Sequence, residues 1–229
     1  MISNAPHARR LALVGAVAAL ALTGCPSPSI YGTARTIPRG QIQQTVAVEG
    51  LGATTSGASG FVPTLPTYQF RIGLADNVDL GLRVPNLTSV GADVKINLVR
   101  GSFDLAVDPS IQGIYAGVSD VNVGLLWLHA PVILGFNLTQ NFSIIATPGI
   151  SYGVYFAGDS TSSSSSSRTA YSTGGFAGRL GVGFNIRVAN TFSIQPEITA
   201  LYNFNAEGVL YIAGVGFEFG AHPDYSDIR

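Results

Sequence analysis

Cysteine occurs once in these 229 residues, at Cys25, and lysine once, at Lys95. A lone cysteine excludes an internal disulfide framework. Charged residues make up 11% of the chain, whereas soluble domains average about 25%. Formal net charge is −1 and no basic patch is present, which argues against nucleic acid as a partner. Past the N-terminal segment no stretch approaches the roughly 18 continuous apolar residues that a transmembrane helix needs. Histidine is confined to His7, His129 and His222. No His/Cys/Asp/Glu cluster has metal-ligand spacing, and no glycine loop precedes a helix to cradle phosphate. The residues therefore indicate no metal and no cofactor.

What is present is glycine, 28 residues of it, a positive mean hydropathy, and strict alternation. Tyr68, Phe70, Ile72 and Leu74 alternate with Gln69, Arg71 and Gly73. Val78, Leu80, Leu82 and Val84 alternate with Asp79, Gly81 and Arg83, and Val90 to Leu98 with Gly91, Asp93, Lys95 and Asn97. The same period runs through Phe103–Asp108, Phe176–Arg187, Phe192–Asn203 and Tyr211–Phe219. Period two marks strands with two unlike faces, and none of these segments shows helical spacing. A chain this apolar and poor in charge, with no helical span, has the composition of an outer-membrane barrel.

Tight turns are expected at Asp76-Asn77, Arg100-Gly101-Ser102, Thr139-Gln140-Asn141 and Ala189-Asn190-Thr191. Longer links lie at 54–65, 85–89, 118–122, 158–174 and 205–208. Short turns at one end and long loops at the other fit a closed, antiparallel, up-and-down transmembrane β-barrel of about ten strands, with eight or twelve as alternatives. Both chain ends fall on the short-turn, periplasmic side. The serine run Ser162 to Ser167 reads as a solvated extracellular loop. Around His129-Ala130-Pro131 the apolar phase slips, which predicts a bulge or a break. Pro109, Pro148 and Pro196 each remove a ladder donor and predict further irregularities.

At the N-terminus, Arg9 and Arg10 precede an apolar run from Leu11 to Leu22, too short to span a bilayer and typical of a secretion signal. Leu22-Thr23-Gly24-Cys25 resembles the lipobox of bacterial lipoproteins. That resemblance implies a signal peptide over 1–24 and acylation of Cys25 as the mature N-terminus. Two or more acyl chains anchor stably, since each buried CH₂ contributes about 0.8 kcal/mol. Residues 25–40, with Pro26, Pro28 and Pro38, are expected to form an irregular lipid-anchored tether. From 41 to 220 the chain resembles a small outer-membrane β-barrel of diderm bacteria. The closing Gly214-Val215-Gly216-Phe217-Glu218-Phe219 fits the terminal assembly signal of such barrels, with two departures: Ile212 replaces a polar residue, and a polar tail, 221–229, follows. The resemblance implies outer-membrane lipids and the barrel-assembly machinery as partners.

If the apolar parity faces lipid, the lumen holds a polar network of Arg71, Asp79, Arg83, Asp93, Lys95, Asp104, Asp108, Arg179, Arg187, Glu197 and Glu218, together with Gln69, Gln112 and Gln195. Parity places Asp79 opposite Lys95. Buried charges are tolerated when paired and hydrogen-bonded, so the set reads as a polar core or, alternatively, as a pore lining. His129 beside Trp127 reads as an interfacial residue of an aromatic girdle. No nucleophile, base and orienter are singled out by spacing, and no catalytic residue is assigned. The leading expectation is a non-enzymatic envelope barrel with a structural or interaction role and passive passage of small polar solutes. Two alternatives stand beside it: a soluble, lipid-anchored barrel that binds an apolar ligand, and a lipid-modifying enzyme using His129.

Overall fold

The computed structural model describes residues 27–55, 58–87, 89–118, 121–159, 171–204 and 208–228. Among them the strands run β1 (Ile42–Thr55), β2 (Ala58–Pro63), β3 (Thr67–Ala75), β4 (Val78–Val84), β5 (Val90–Val99), β6 (Phe103–Val107), β7 (Ser110–Val118), β8 (Val121–Thr139), β9 (Phe142–Asp159), β10 (Tyr171–Ala189), β11 (Phe192–Asn203) and β12 (Val209–Gly220). Every pairing between these strands is antiparallel. The ring runs β1-β3-β4-β5-β6-β8-β9-β10-β11-β12 and returns to β1 through a continuous register from Gln43↔Gly220 to Thr54↔Val209. This is a closed barrel of ten strands.

Two further strands lie off that ring path, each beyond a proline-bearing break. β2 pairs with β1 above the point where β3 leaves it, and Pro66 lies in the gap between them. β7 keeps the register of β6 on both β5 and β8 after the interruption at Pro109. The expected loop over 54–65 is thus largely strand. Register shifts occur at Gly73/Ala75, Asn97/Val99, Asn137/Thr139 and Arg187/Ala189, each beside one of the four tight turns.

The bulge expected near Pro131 is absent. β8 is one 19-residue strand whose register with β9 is unchanged on either side of Pro131. The phase slip has another cause: the loop-end half of β8 turns apolar Leu125 inward, where it is buried. Pro148 and Pro196 likewise leave the register unchanged. The ladder between β8 and β9 skips the residues facing Pro148, and that between β10 and β11 skips those facing Pro196, because a proline has no N–H to give.

Side-chain parity decides which face is which. Leu82 is 51% exposed and Val94 37%, while Arg83 and Lys95 are each 3% exposed and Arg71 7%. Apolar residues face outward and ionic residues inward, so the soluble barrel with an apolar interior is excluded. Outer aromatic pairs form two belts. Phe103–Phe136, Phe142–Phe184 and Phe192–Phe219 ring the short-turn end, with centroids 5.3, 6.0 and 5.2 Å apart. Tyr152–Phe176, Phe61–Tyr211 and Tyr202–Phe204 ring the other. On β10 the belts lie eight residues apart, at Phe176 and Phe184, or roughly 20 Å along the axis of a strand tilted about 40°.

Candidate functional site: the occupied lumen

Eight-stranded barrels are just wide enough for their own side chains to fill. Ten strands leave surplus width, and here the chain fills it with its own N-terminal segment. Residues 27–37 lie inside the barrel: Ser27, Ser29, Ile30, Tyr31, Ala34, Arg35 and Ile37 are each at most 2% exposed. The expected tether over 25–40 is therefore corrected over its described part. It is irregular, as its prolines and serines dictate, but it is a luminal plug.

The plug runs toward the short-turn end and then turns back into β1. Its start is held at mid-wall: the Ser27 hydroxyl donates to Glu49 at 2.7 Å, and Gln112 donates to the Ser27 carbonyl at 3.0 Å. Glu197 accepts the backbone N–H groups of Ile30 and Tyr31, both at 2.9 Å. Arg83 donates to the Ser29 carbonyl, Lys95 to the carbonyls of Thr33 and Arg35, and Asn97 to that of Ala34. Ile30 and Ala34 pack with Ala106, Ile133 and Ile145 in a small apolar cluster. The Tyr31 ring lies against Gly214 and Gly216; a Cβ on Gly216 would come within 2.8 Å of it. Inward-facing glycines in the closing strand make the groove that this ring occupies.

At the short-turn end the C-terminal tail completes the closure. Arg35 donates to Asp104 on the wall at 2.8 Å, and to Asp227 and the Asp224 carbonyl in the tail, each at 2.5 Å. The Tyr225 ring is buried with the guanidinium groups of Arg187 and Arg35 over it, 3.6 and 4.5 Å from its centroid. The tail is thus a cap with two buried side chains, Tyr225 and Ile228. A cavity of about 490 Å³ lies between it and the turns that follow β8 and β10, lined by Gln140, Arg187 and His222 among others. In this cap burial pushes the Tyr225 phenol up to about 12. Burial also holds His222 below its ordinary value, and the Arg35 hydrogen bond lowers Asp227.

The sequence-assigned residues divide into two groups. On β3–β6, Arg71 bonds Asp93, Arg83 bonds Asp93 at 3.2 Å, and Lys95 bonds Asp79 at 3.0 Å. Asp108 lies 3.9 Å from Arg71 and 4.0 Å from Arg83. These pairs join wall to wall, and their members also bond the plug backbone: Arg83 and Lys95 donate to its carbonyls, and Asp79 accepts the Ile37 N–H at 3.3 Å. On the opposite wall Glu197 and Glu218 have no cation within 4.0 Å among the described residues; Glu218 is held by Ser193 and Asn185. Glu49, which sequence reasoning did not single out, is the third such carboxylate, held by Ser27 and Thr67. Alternation of Thr45, Ala47 and Glu49 with Val46 and Val48 was the available signal. Arg187 donates to Asn185, Ser143 and the carbonyls of Thr139 and Gln140. Arg179 bonds only Thr147, at 3.3 Å, among the described residues. Cys25 lies outside the described residues, as does the serine run.

His129 is not in the girdle. It faces inward, 4% exposed, with its ring stacked on Trp127 at 5.7 Å and its Nδ1 2.7 Å from the Ser151 hydroxyl. Among the described residues Nε2 has no hydrogen-bond partner, and no carboxylate there orients this Ser–His pair. Among the described residues no group of three or more His, Cys, Asp or Glu could hold a metal ion.

No family model matches the chain, and no curated protein does. Solved structures with a similar fold include Ail, the attachment invasion locus protein of Yersinia pestis, at 11% identity and TM-score 0.38 over 79% of this chain and 99% of that one. OprG of Pseudomonas aeruginosa is similar at 12% identity and TM-score 0.33, over 82% and 99% of the two chains. The outer membrane protease OmpT of Escherichia coli is similar at 8% identity and TM-score 0.46, over 81% and 98%.

Proposed function

We propose that the chain is an outer-membrane β-barrel lipoprotein, non-enzymatic, with a structural or interaction role in the cell envelope, whose lumen is sealed in the arrangement described above. The observation that carries the membrane reading is the outer surface: an apolar band bounded by two aromatic belts roughly 20 Å apart, close to the ~25 Å band of outer-membrane barrels. In water such a surface would cost about 25 cal/mol for every Å² left exposed. The short turns face the periplasm and the long loops face outward. The unoriented Ser–His pair at His129 and Ser151, buried against Trp127, supports a role without catalysis.

The proposed acylation of Cys25 meets a geometric condition. Cys25 precedes Ser27 by two residues, which span at most about 7 Å. Ser27 is bonded to Glu49, seven residues up β1 from Ile42, or roughly 18 Å above the short-turn end. The wall is closed around it. From chain length alone, acylation of Cys25 is expected to compete with seating of the plug.

Carbonate or urea extraction of membranes, with gel migration before and after boiling, tests the membrane reading. An integral barrel stays in the membrane pellet and migrates differently when heated. Release into the supernatant overturns the reading.

A further inference from the structure

We propose that the plug formed by residues 27–38 is a displaceable closure, and that its withdrawal opens a cation-selective pore through the barrel. The proposal rests on the membrane reading above and goes beyond it.

Three features of the lumen carry it. First, the ion pairs on β3, β4 and β5 contain no side chain of the plug. The Arg71–Asp93, Arg83–Asp93 and Lys95–Asp79 pairs are wall to wall, and the plug supplies a single buried charge, Arg35. Withdrawal leaves Asp104, on which Arg35 sits, open to water, and does not orphan the remaining pairs.

Second, the fit between plug and wall is incomplete. Among the described residues, Arg71 Nη1, Asp79 Oδ1, Arg83 Nε and Gln112 Oε1 on the wall are buried without a hydrogen-bond partner. Buried unsatisfied polar atoms favour an arrangement in which water reaches them. The plug is bound in part through its carbonyls and N–H groups, contacts that water can take over, and in part through the side chains of Ser27, Arg35 and Thr36. Its apolar side chains Ile30 and Ala34 meet a small cluster of Ala106, Ile133 and Ile145, while the buried side chains of the wall around them are mainly polar.

Third, the vacated lumen would carry an excess of one sign. Among the described residues the inner wall buries seven carboxylates against five arginine and lysine side chains. Among the described residues Glu49, Glu197 and Glu218 have no cation within 4.0 Å, and Glu49 and Glu197 face the space that Ser27, Ile30 and Tyr31 occupy. An enclosed acidic lining concentrates cations and repels anions.

The seat itself supplies the control. A Cβ built on Gly135 lies 3.6 Å from the Ala34 Cβ, within the range that a disulfide requires. In a Cys25→Ser background, Ala34→Cys with Gly135→Cys locks the plug to β8. The experiment compares the full chain, the locked chain and a chain starting at residue 39 in planar bilayers under a potassium chloride gradient. The expected result is silence in the oxidised locked chain, and steady conductance with a cation-selective reversal potential in the shortened one. Should the shortened chain fail to fold, Tyr31→Ala with Arg35→Ala in the lockable full chain answers in its place: conductance appears on reduction and disappears on oxidation. A shortened chain that floats with vesicles and shows heat-modifiable migration, yet is silent or anion-selective, overturns the proposal while the membrane reading stands. So does silence of the weakened full chain in both redox states. A full chain recovered free of vesicles overturns both.

Discussion

The carboxylate of Glu197 on β11 takes the backbone N–H of Tyr31 at 2.9 Å, and that of Ile30 at the same distance. A wall side chain thereby fixes the path of a segment that has no secondary structure of its own. Glu197→Ala leaves both N–H groups buried without an acceptor, at about 1–3 kcal/mol each. The ring of strands is untouched, so heat-modifiable migration persists. Oxidation of the Ala34→Cys/Gly135→Cys pair should slow by about tenfold or more, since 1.4 kcal/mol is a factor of ten. An unchanged rate would show that Glu197 does not hold the seat.

Asp93 accepts from both Arg71 and Arg83. Asp93→Asn leaves two buried guanidinium groups short of their shared counter-ion, and breaking a buried pair in this way costs about 3–5 kcal/mol. The expected outcome is a lower urea midpoint for unfolding, with loss of the heat-modifiable form at lower temperature. Asp224→Asn, in the exposed part of the tail, should leave the midpoint unchanged.

The tail cap should loosen as pH falls, in two stages. Burial holds His222 below its ordinary 6.5, so the undocked tail takes up a proton first, and docking weakens as pH falls from 6.5 toward the lowered value. Asp227 is held below its ordinary 3.8 by its hydrogen bond to Arg35. Its contribution is present above 3.8 and is lost as pH falls through the lowered value. A spin label at Ser226→Cys in a Cys25→Ser background reports this as rising mobility. With His222→Gln the first stage disappears and the second remains. Mobility independent of pH would contradict the docked cap.

Acylation and plug seating should be mutually exclusive. In a chain that keeps Cys25 and carries Ala34→Cys with Gly135→Cys, mass spectrometry of the mature N-terminus sorts acylated from unacylated molecules. The disulfide should be confined to the unacylated fraction. Acylated chains carrying the disulfide would show that a lipid at Cys25 reaches the bilayer with the plug in place.

The wall was legible and the plug was not. Alternation alone placed Asp79 opposite Lys95, and the two are register partners joined at 3.0 Å. The same parity set the inward face and the four tight turns, because strand period and turn chemistry are local. Residues 27–38 have no period to read. They are recognised through backbone groups, as in the Lys95 contacts to the carbonyls of Thr33 and Arg35, and a backbone carbonyl is the same in every residue. The usable signals were indirect: one buried charge in the segment, Arg35, and inward-facing Gly214 and Gly216, whose missing side chains are the space for Tyr31. Trp127 and His129 were misplaced for a related reason. Above the plug the inner face turns apolar, so hydropathy alone no longer separates inside from outside.

The central claim is that the apolar outer face lies in hydrocarbon, and its most direct test is reagent access. Single cysteines replace Leu82 and Leu180, 51% and 54% exposed on the outer face between the two aromatic belts, in a Cys25→Ser background reconstituted into vesicles. A membrane-impermeant maleimide should leave both unlabelled until detergent is added, while a cysteine at Ser226 in the tail is labelled in chains whose short-turn end faces the outside. Rapid labelling at positions 82 and 180 in intact vesicles would place that face in water and contradict the account.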